Sequence, residues 1–336
     1  LRGFCNLTCN LFERQIEKME NIIIDTDPGQ DDAVAILVAL ASPNELNLLG
    51  ITVVAGNVPL SLGVRNARII SELASKEKTQ IYSGCPKPMK RELVTAEHVH
   101  GRTGLDGITL PEPVMPIMEM HAVDFLIESI ENNPPDTITI CALGPLTNVA
   151  EALLKAPSIA SKIKQIILMG GAYFAGGNIT PSAEFNIFVD PEAAEIVFSS
   201  GINLTVLPLD VTHKALTSEE RVTTFKEIGP PIGPAVASWM NFFERFDKEK
   251  YGSVGAPLHD PCVIAYLLQP DMFTGRYINV EIETESELTR GMTVADWWKV
   301  TNRKPNALFI GDINADQYYD LLTERLRALC SDILLT

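Results

Sequence analysis

The sequence predicts an α/β fold, a single-domain, open and mostly parallel (Rossmann-like) sheet flanked by helices, on three observations. Short β-branched runs alternate with helical patterns through the first two-thirds of the 336 residues. Successive strand runs are separated by a dozen residues or more, the length a parallel crossover needs. No repeat, low-complexity tract or Ser/Gly linker divides the chain, although at roughly 150 residues per domain its length alone would allow two.

Taken in order, residues 21–25 form an apolar strand closed by Pro28-Gly29, and residues 31–41 a helix. A buried-type strand follows at 48–54 and a helix at 60–75. Strands are then expected at 80–83, 137–142, 165–169 and 204–208, with helices at 121–132, 146–155 and 191–200. The remainder is more helical, at 218–228, 235–250 and 259–268. A two-stranded excursion (278–283 with 306–309) and an amphipathic helix at 315–329 complete it. Residues 1–18 precede the first strand and are expected to be a disordered extension, cloning-derived or an upstream read-through, so the domain is placed at 19–330.

Composition narrows the function. A net charge of −16 without any Lys/Arg-rich block repels phosphate backbones and anionic membranes, which argues against nucleic-acid binding and a membrane-surface role. The longest uninterrupted apolar stretch, residues 33–41, is half the ~18 to 20 residues that span a bilayer. The first residues lack the apolar core of a secretory signal. Six cysteines without CxxC spacing read as free thiols of a reducing compartment, so a cytoplasmic location is expected.

In open α/β sheets the ligand crevice lies beyond the C-terminal ends of the strands, here the loops beginning at Asp25, Val54, Ala142, Met169 and Pro208. The first of these loops holds four carboxylates within eight residues, Asp25-Thr26-Asp27-Pro28-Gly29-Gln30-Asp31-Asp32. Asp25 and Asp27 point to one side of a strand, and Asp31 and Asp32 enter a helical turn. Helix capping explains Asp31 or Asp32 but not the other two. Crowded carboxylates call for a compensating charge, and oxygen-only ligands select a hard ion, Ca²⁺ or Mg²⁺. Gly29 breaks the EF-hand pattern. A second set, His259-Asp260-Pro261, opens a helix after a Gly/Pro loop. A third is the Gly-rich loop from Met169 through Asn178 to Glu184-Phe185-Asn186, whose carboxylate and amides suit vicinal sugar hydroxyls.

The combination DTDPGQDDAVAI, VVAGN, HVHG, LGPLTN, MGG…GN…AEFN…DPEAA and HDP closely resembles the inosine–uridine-type nucleoside hydrolases over roughly residues 21–329. The resemblance implies the nucleoside hydrolase fold and a Ca²⁺-dependent enzyme. Its reaction would be hydrolysis of the N-glycosidic bond of ribonucleosides, inosine or uridine in type, to ribose and free base for salvage. Carried over, Asp27 is the general base, and Asp27, Asp32 and Asp260 with the Leu143 backbone carbonyl are the metal ligands. Asp31, Asn57, Asn178, Glu184 and Asn186 resemble the ribose-binding residues, with Met169 beside the 5′ end, and Asp25 orients the cluster. A homodimer or homotetramer is implied.

The chemistry is consistent with this on its own terms. Breaking a C1′–N bond leaves an oxocarbenium-like sugar, so negative charge is needed near C1′, a water on one face and a stabilised base on the other. His259, beside Asp260, is the expected acid for the base, and His100 is a second candidate in the base pocket. Helix 235–250 carries Phe242, Phe243 and Phe246 where a tyrosine relay would need a hydroxyl, and Trp297-Trp298 reads as a core pair. Two other readings compete. A haloacid-dehalogenase-like Mg²⁺ phosphatase would want Thr or Val where Gly29 stands, and it leaves AEFN and HDP without a role. A calcium-bound nucleoside-binding protein without turnover leaves the acid and base unused.

Overall fold

The computed structural model describes residues 19–252 and 255–335, so the expected extension at 1–18, with Cys5 and Cys9, lies outside the described residues, as does the side chain of Phe246. Strand β1 (Glu20–Thr26) leads into α1 (Gln30–Leu40), and β2 (Leu46–Val53) into α2 (Leu60–Leu73). Next come β3 (Ile81–Ser83), α3 (Glu97–His100), α4 (Ala122–Asn132), β4 (Ile138–Ala142), α5 (Thr147–Lys155) and β5 (Gln165–Met169). They are followed by α6 (Phe185–Val189), α7 (Pro191–Ser199), β6 (Leu204–Leu207), α8 (Leu209–Thr212) and the short β7 (Leu216–Thr217). The last part holds α9 (Glu219–Lys226), α10 (Ile232–Tyr251), β8 (Ala256–Pro257), α11 (Pro261–Leu268), β9 (Phe273–Ile278), β10 (Val280–Ile282), β11 (Thr293–Ala295), β12 (Ala307–Ile313) and α12 (Ala315–Leu335).

Eight strands form one sheet in the order β3-β2-β1-β4-β5-β6-β12-β9. All neighbours are parallel except β12 with β9. Strand β1 is central because Ile22, Ile23 and Ile24 are fully buried, with Ile22 and Ile24 packing on one face and Ile23 on the other. The first face is covered by α1, α2, α10, α11 and α12, and the second by α4, α5 and α7. Parallel pairing brings the C-terminal ends of β1, β2, β4 and β5 to one edge, with Asp25 level with Thr52 and Ala142.

Two expectations are corrected. The excursion expected at 278–283 and 306–309 is instead divided: 307–309 lies in β12 of the main sheet, whereas 278–283 holds the end of β9 and then β10. Strand β12 pairs parallel to β6 through Ala307–Phe309, and β9 closes the edge antiparallel to it. The separate hairpin is β10 with β11. In β9 the residues between Phe273 and Ile278 are exposed, so its sequence lacks the apolar run of the buried strands. The tryptophan pair is split as well: Trp297 packs against the core, whereas Trp298 is 63% exposed, with the Arg276 guanidinium over its ring. Helices α3, α6 and α8, of four or five residues, are too short to show a helical period.

Asn148, in the first turns of α5, ties three strand ends together. Its amide donates to Asp25 Oδ1 (2.8 Å) and to the Val53 carbonyl (3.2 Å), and its oxygen accepts from the Cys85 N–H (2.8 Å). Gly84 admits it, since a Cβ there would lie 2.3 Å from its Oδ1. Asn148→Ala leaves these buried partners unsatisfied and is expected to cost about 2 to 4 kcal/mol, read as a lower urea midpoint at unchanged slope.

Candidate active site

The site begins where β1 ends. After Thr26 the chain turns through Pro28 and Gly29, and Gly29 caps α1. The Gly29 N–H donates to Asp32 Oδ2 (2.9 Å) and the Thr26 hydroxyl to Asp32 Oδ1 (2.5 Å), folding that carboxylate back over the helix start. Asp27 Oδ2 accepts from the Asn57 N–H (2.7 Å), and the Asn57 amide reaches the Asp27 carbonyl and Asp32 Oδ2, each at 3.2 Å. Gly56 and Gly144 close on the Asp27 carboxylate from two loops. A Cβ on the first would lie 2.0 Å from Oδ2, and one on the second 2.3 Å from Oδ1. Asp25 sits behind, its Oδ1 held by the Thr52 hydroxyl (2.6 Å) and by Asn148.

Asp260 arrives from the other end of the chain. It precedes Pro261, the first residue of α11, and α11 packs beside α1. Carboxylate oxygens of Asp31, Asp32 and Asp260 all lie within 4.8 Å of one another. Asp31, expected on the sugar, is therefore also one of three carboxylates that could share an ion. Asp27 stands beside it, close enough for its charge to raise the Asp260 pKa.

Among the described residues no lysine or arginine pairs with these carboxylates. Burial, reinforced by mutual repulsion, pushes Asp27 and Asp260 well above the usual carboxylate range and Asp31 up to about 8. Asp25 is pushed up to about 7 by burial, against its Thr52 and Asn148 hydrogen bonds. Asp25 Oδ2, Asp27 Oδ1 and Asp31 Oδ1 are buried with no hydrogen-bond partner. Unpartnered oxygens of several carboxylates, without a protein cation to balance them, fit a hard divalent ion.

The sugar-side residues ring this cluster. Glu184 caps α6, its Oε1 accepting from the Asn186 N–H (2.9 Å) and its Oε2 from Gly171 (2.9 Å) and Ile187 (3.2 Å). Burial raises it to about 7 despite these donors. The Asn186 amide donates to the Leu143 carbonyl (2.7 Å) and the Met169 carbonyl (3.1 Å), bridging β4 and β5. The carbonyl expected to face a metal thus receives a side-chain donor. Asn178 accepts from the Phe185 N–H (2.9 Å).

A band of rings lies beside the carboxylates. His100 is buried with its Nδ1 2.6 Å from Gln30 Oε1, and Gly29 makes room for it, since a Cβ there would stand 2.5 Å from Nδ1. His259 Nδ1 is 2.7 Å from the Thr212 hydroxyl. Phe243 lies 5.4 Å from His100 and 6.2 Å from His259 between ring centres, and His213 5.8 Å from His259. Burial lowers His100 to about 3 and His259 well below its usual value, the charges of His213 and His100 adding to the second. Sequence reasoning passed over Gln30, Thr52, Asn148, Thr212 and His213. Thr212 and His213 stand just beyond Pro208, one of the strand ends marked as crevice loops.

A model of the inosine-uridine preferring nucleoside hydrolases matches residues 22–320. An uncharacterized protein of Schizosaccharomyces pombe is 50% identical over 308 residues, 92% of this chain and 99% of its own. The pyrimidine-specific ribonucleoside hydrolase RihA of Escherichia coli O7:K1 is 46% identical over 307 residues, 91% of this chain and 98% of its own. Among solved structures, the purine-preferring ribonucleoside hydrolase from Gardnerella vaginalis superposes with a TM-score of 0.87 at 31% identity, covering 93% of this chain and all of that one.

The buried carboxylates make stability depend on pH. Their folded pKa values lie above the unfolded value of 3.8, so without a cation the folded state binds protons more tightly and loses stability as pH rises from about 4 towards 8. A divalent cation held here would replace those protons, so the rise in Tm on adding Ca²⁺ should be larger at pH 8 than at pH 5 in thermal denaturation; an equal or reversed shift contradicts a cation site here. Gly56→Ala drives a methyl into Asp27 and should cost about 1 to 3 kcal/mol of stability. Base release should fall at least about a hundredfold, measured on the fraction that remains folded.

Proposed function

Because the chain belongs to the inosine-uridine preferring nucleoside hydrolases, which hydrolyse N-glycosyl bonds, we propose that it releases the base from pyrimidine ribonucleosides such as uridine, with Ca²⁺ as its resident ion, in nucleoside salvage. The observation that carries the reading is the convergence of buried, unpartnered carboxylate oxygens from residues 27–32 with Asp260. Asp27, Asp32 and Asp260 with the Leu143 carbonyl are the proposed ligands, a set that leaves positions open within the six to eight oxygens Ca²⁺ accepts. When bound, such an ion supplies Lewis acidity toward a water molecule and toward the sugar diol.

The chain's own groups do the rest. Asp27 Oδ2 is engaged by Asn57, whereas Oδ1 has no partner, which supports Oδ1 as the oxygen that takes the proton of the attacking water. The carboxylates place negative charge beneath the sugar as its oxocarbenium character develops, so no covalent intermediate is required. Asp31, Asn57, Asn178, Glu184 and Asn186 orient the ribose, Met169 borders its 5′ end, and Asp25 holds the cluster in place. His259, steadied through Nδ1 by Thr212, presents its other ring nitrogen to the departing base.

Pyrimidine preference is favoured by the 46% identity to a hydrolase named pyrimidine-specific, against 31% to one named purine-preferring. A homodimer or homotetramer in the cytoplasm completes the proposal. Among the described residues no helix is long and apolar enough to cross a membrane.

Chromatographic detection of free base from uridine, cytidine, inosine, adenosine and deoxyuridine, with and without Ca²⁺, tests the reading. Chelation should stop release and Ca²⁺ restore it, and Asp27→Ala should lower turnover about 10³-fold or more. Undiminished turnover in Asp27→Ala would remove the mechanism. His259→Ala should lower kcat more with inosine or uridine than with a nitrophenyl riboside, whose leaving group needs no help; equal losses would make His259 a positioning group.

A further inference from the structure

Gln30 is the first residue of α1, fully buried, and its side chain reaches 70 residues along the chain to His100. Its Nε2 lies 2.8 Å from the His100 carbonyl and 3.1 Å from the Asp106 carbonyl. Both oxygens can only accept, so the amide nitrogen must face them and Oε1 must face the imidazole. Oε1, an acceptor, stands 2.6 Å from His100 Nδ1, so Nδ1 carries the hydrogen. A neutral imidazole has one N–H, which leaves Nε2 with a bare lone pair. Nε2 has no hydrogen-bond partner among the described residues, and the ring lies in the aromatic band with Phe243 and His259 beside the carboxylates. Burial, which keeps the ring neutral at physiological pH, supports the assignment.

We infer that Gln30 is a positioning residue that locks His100 in the Nδ1–H tautomer, so that His100 Nε2 accepts a hydrogen bond from an N–H on the nucleobase. On this reading His100 accepts from the base rather than giving it a proton. The role given to the base rests on the proposed hydrolysis of nucleosides; the tautomer does not. Uracil has one N–H once bound to ribose, at N3, so the acceptor selects that edge.

The chain has five histidines, few enough for histidine-selective labelling and a long-range ¹H–¹⁵N spectrum, with His100→Gln assigning the signal. In the wild-type protein His100 should show a protonated Nδ1 and an unprotonated Nε2; a protonated Nε2 overturns the inference without reference to any substrate. Gln30→Met keeps the volume and removes both donor and acceptor, and it should leave His100 a mixture of tautomers. It should also lower kcat/KM for uridine about tenfold while barely changing that for 3-methyluridine, which lacks the N–H. Equal losses on the two substrates would make Gln30 merely structural and overturn the recognition role. If the wild type cleaves no nucleoside, the functional reading fails while the spectrum still decides the tautomer.

Discussion

Everything in this molecule turns on the burial of several carboxylates at one strand-to-helix junction without, among the described residues, a basic side chain to answer them. Removing a charge from water is costly, and placing like charges together adds to that cost. The surroundings hold the oxygens in place without neutralising them. Thr52 and Asn148 grip Asp25, Thr26 and the Gly29 N–H grip Asp32, and the Asn57 N–H grips Asp27. Asp25 Oδ2, Asp27 Oδ1 and Asp31 Oδ1 are left buried without a partner. Such an arrangement has lasting use only if a cation completes it.

The fold makes that arrangement possible. A parallel sheet sends its strand ends to one edge, and the central position of β1 surrounds its acidic tip with loops from β2, β4 and β5. Gly56 and Gly144 let two of those loops close to within contact of Asp27. Helix α11 then lies beside α1 and delivers Asp260 from 228 residues further along, counted from Asp32. Stability and chemistry are thus coupled: the packing of α1 that buries its hydrophobic residues also sets the spacing of the carboxylates.

Much of this was legible in the chain. The alternation of strands and helices survives in β1 to β6 because each is apolar and bounded by turns, and the crowding of aspartates needed no structure to be noticed. Which neighbouring aspartate faces which partner was not legible, since adjacent residues in a helical turn differ by about 100° in direction. Asp31, expected on the sugar, also brings a carboxylate oxygen near those of Asp32 and Asp260. Glu184 and Asn178 read as sugar ligands, yet both also secure backbone N–H groups around α6, a duty that local sequence does not reveal. Strand β9 was hidden by its exposed residues, and the Gln30–His100 contact by its separation along the chain.

The proposed site has one ion shared by both ends of the polypeptide. A crystal grown with Ca²⁺, with data collected for its anomalous signal, tests this most directly. A single peak is expected at about 2.3 to 2.6 Å from oxygens of both Asp32 and Asp260. A peak held by residues 25–32 alone, or the absence of any peak between α1 and α11 at saturating Ca²⁺, would contradict it.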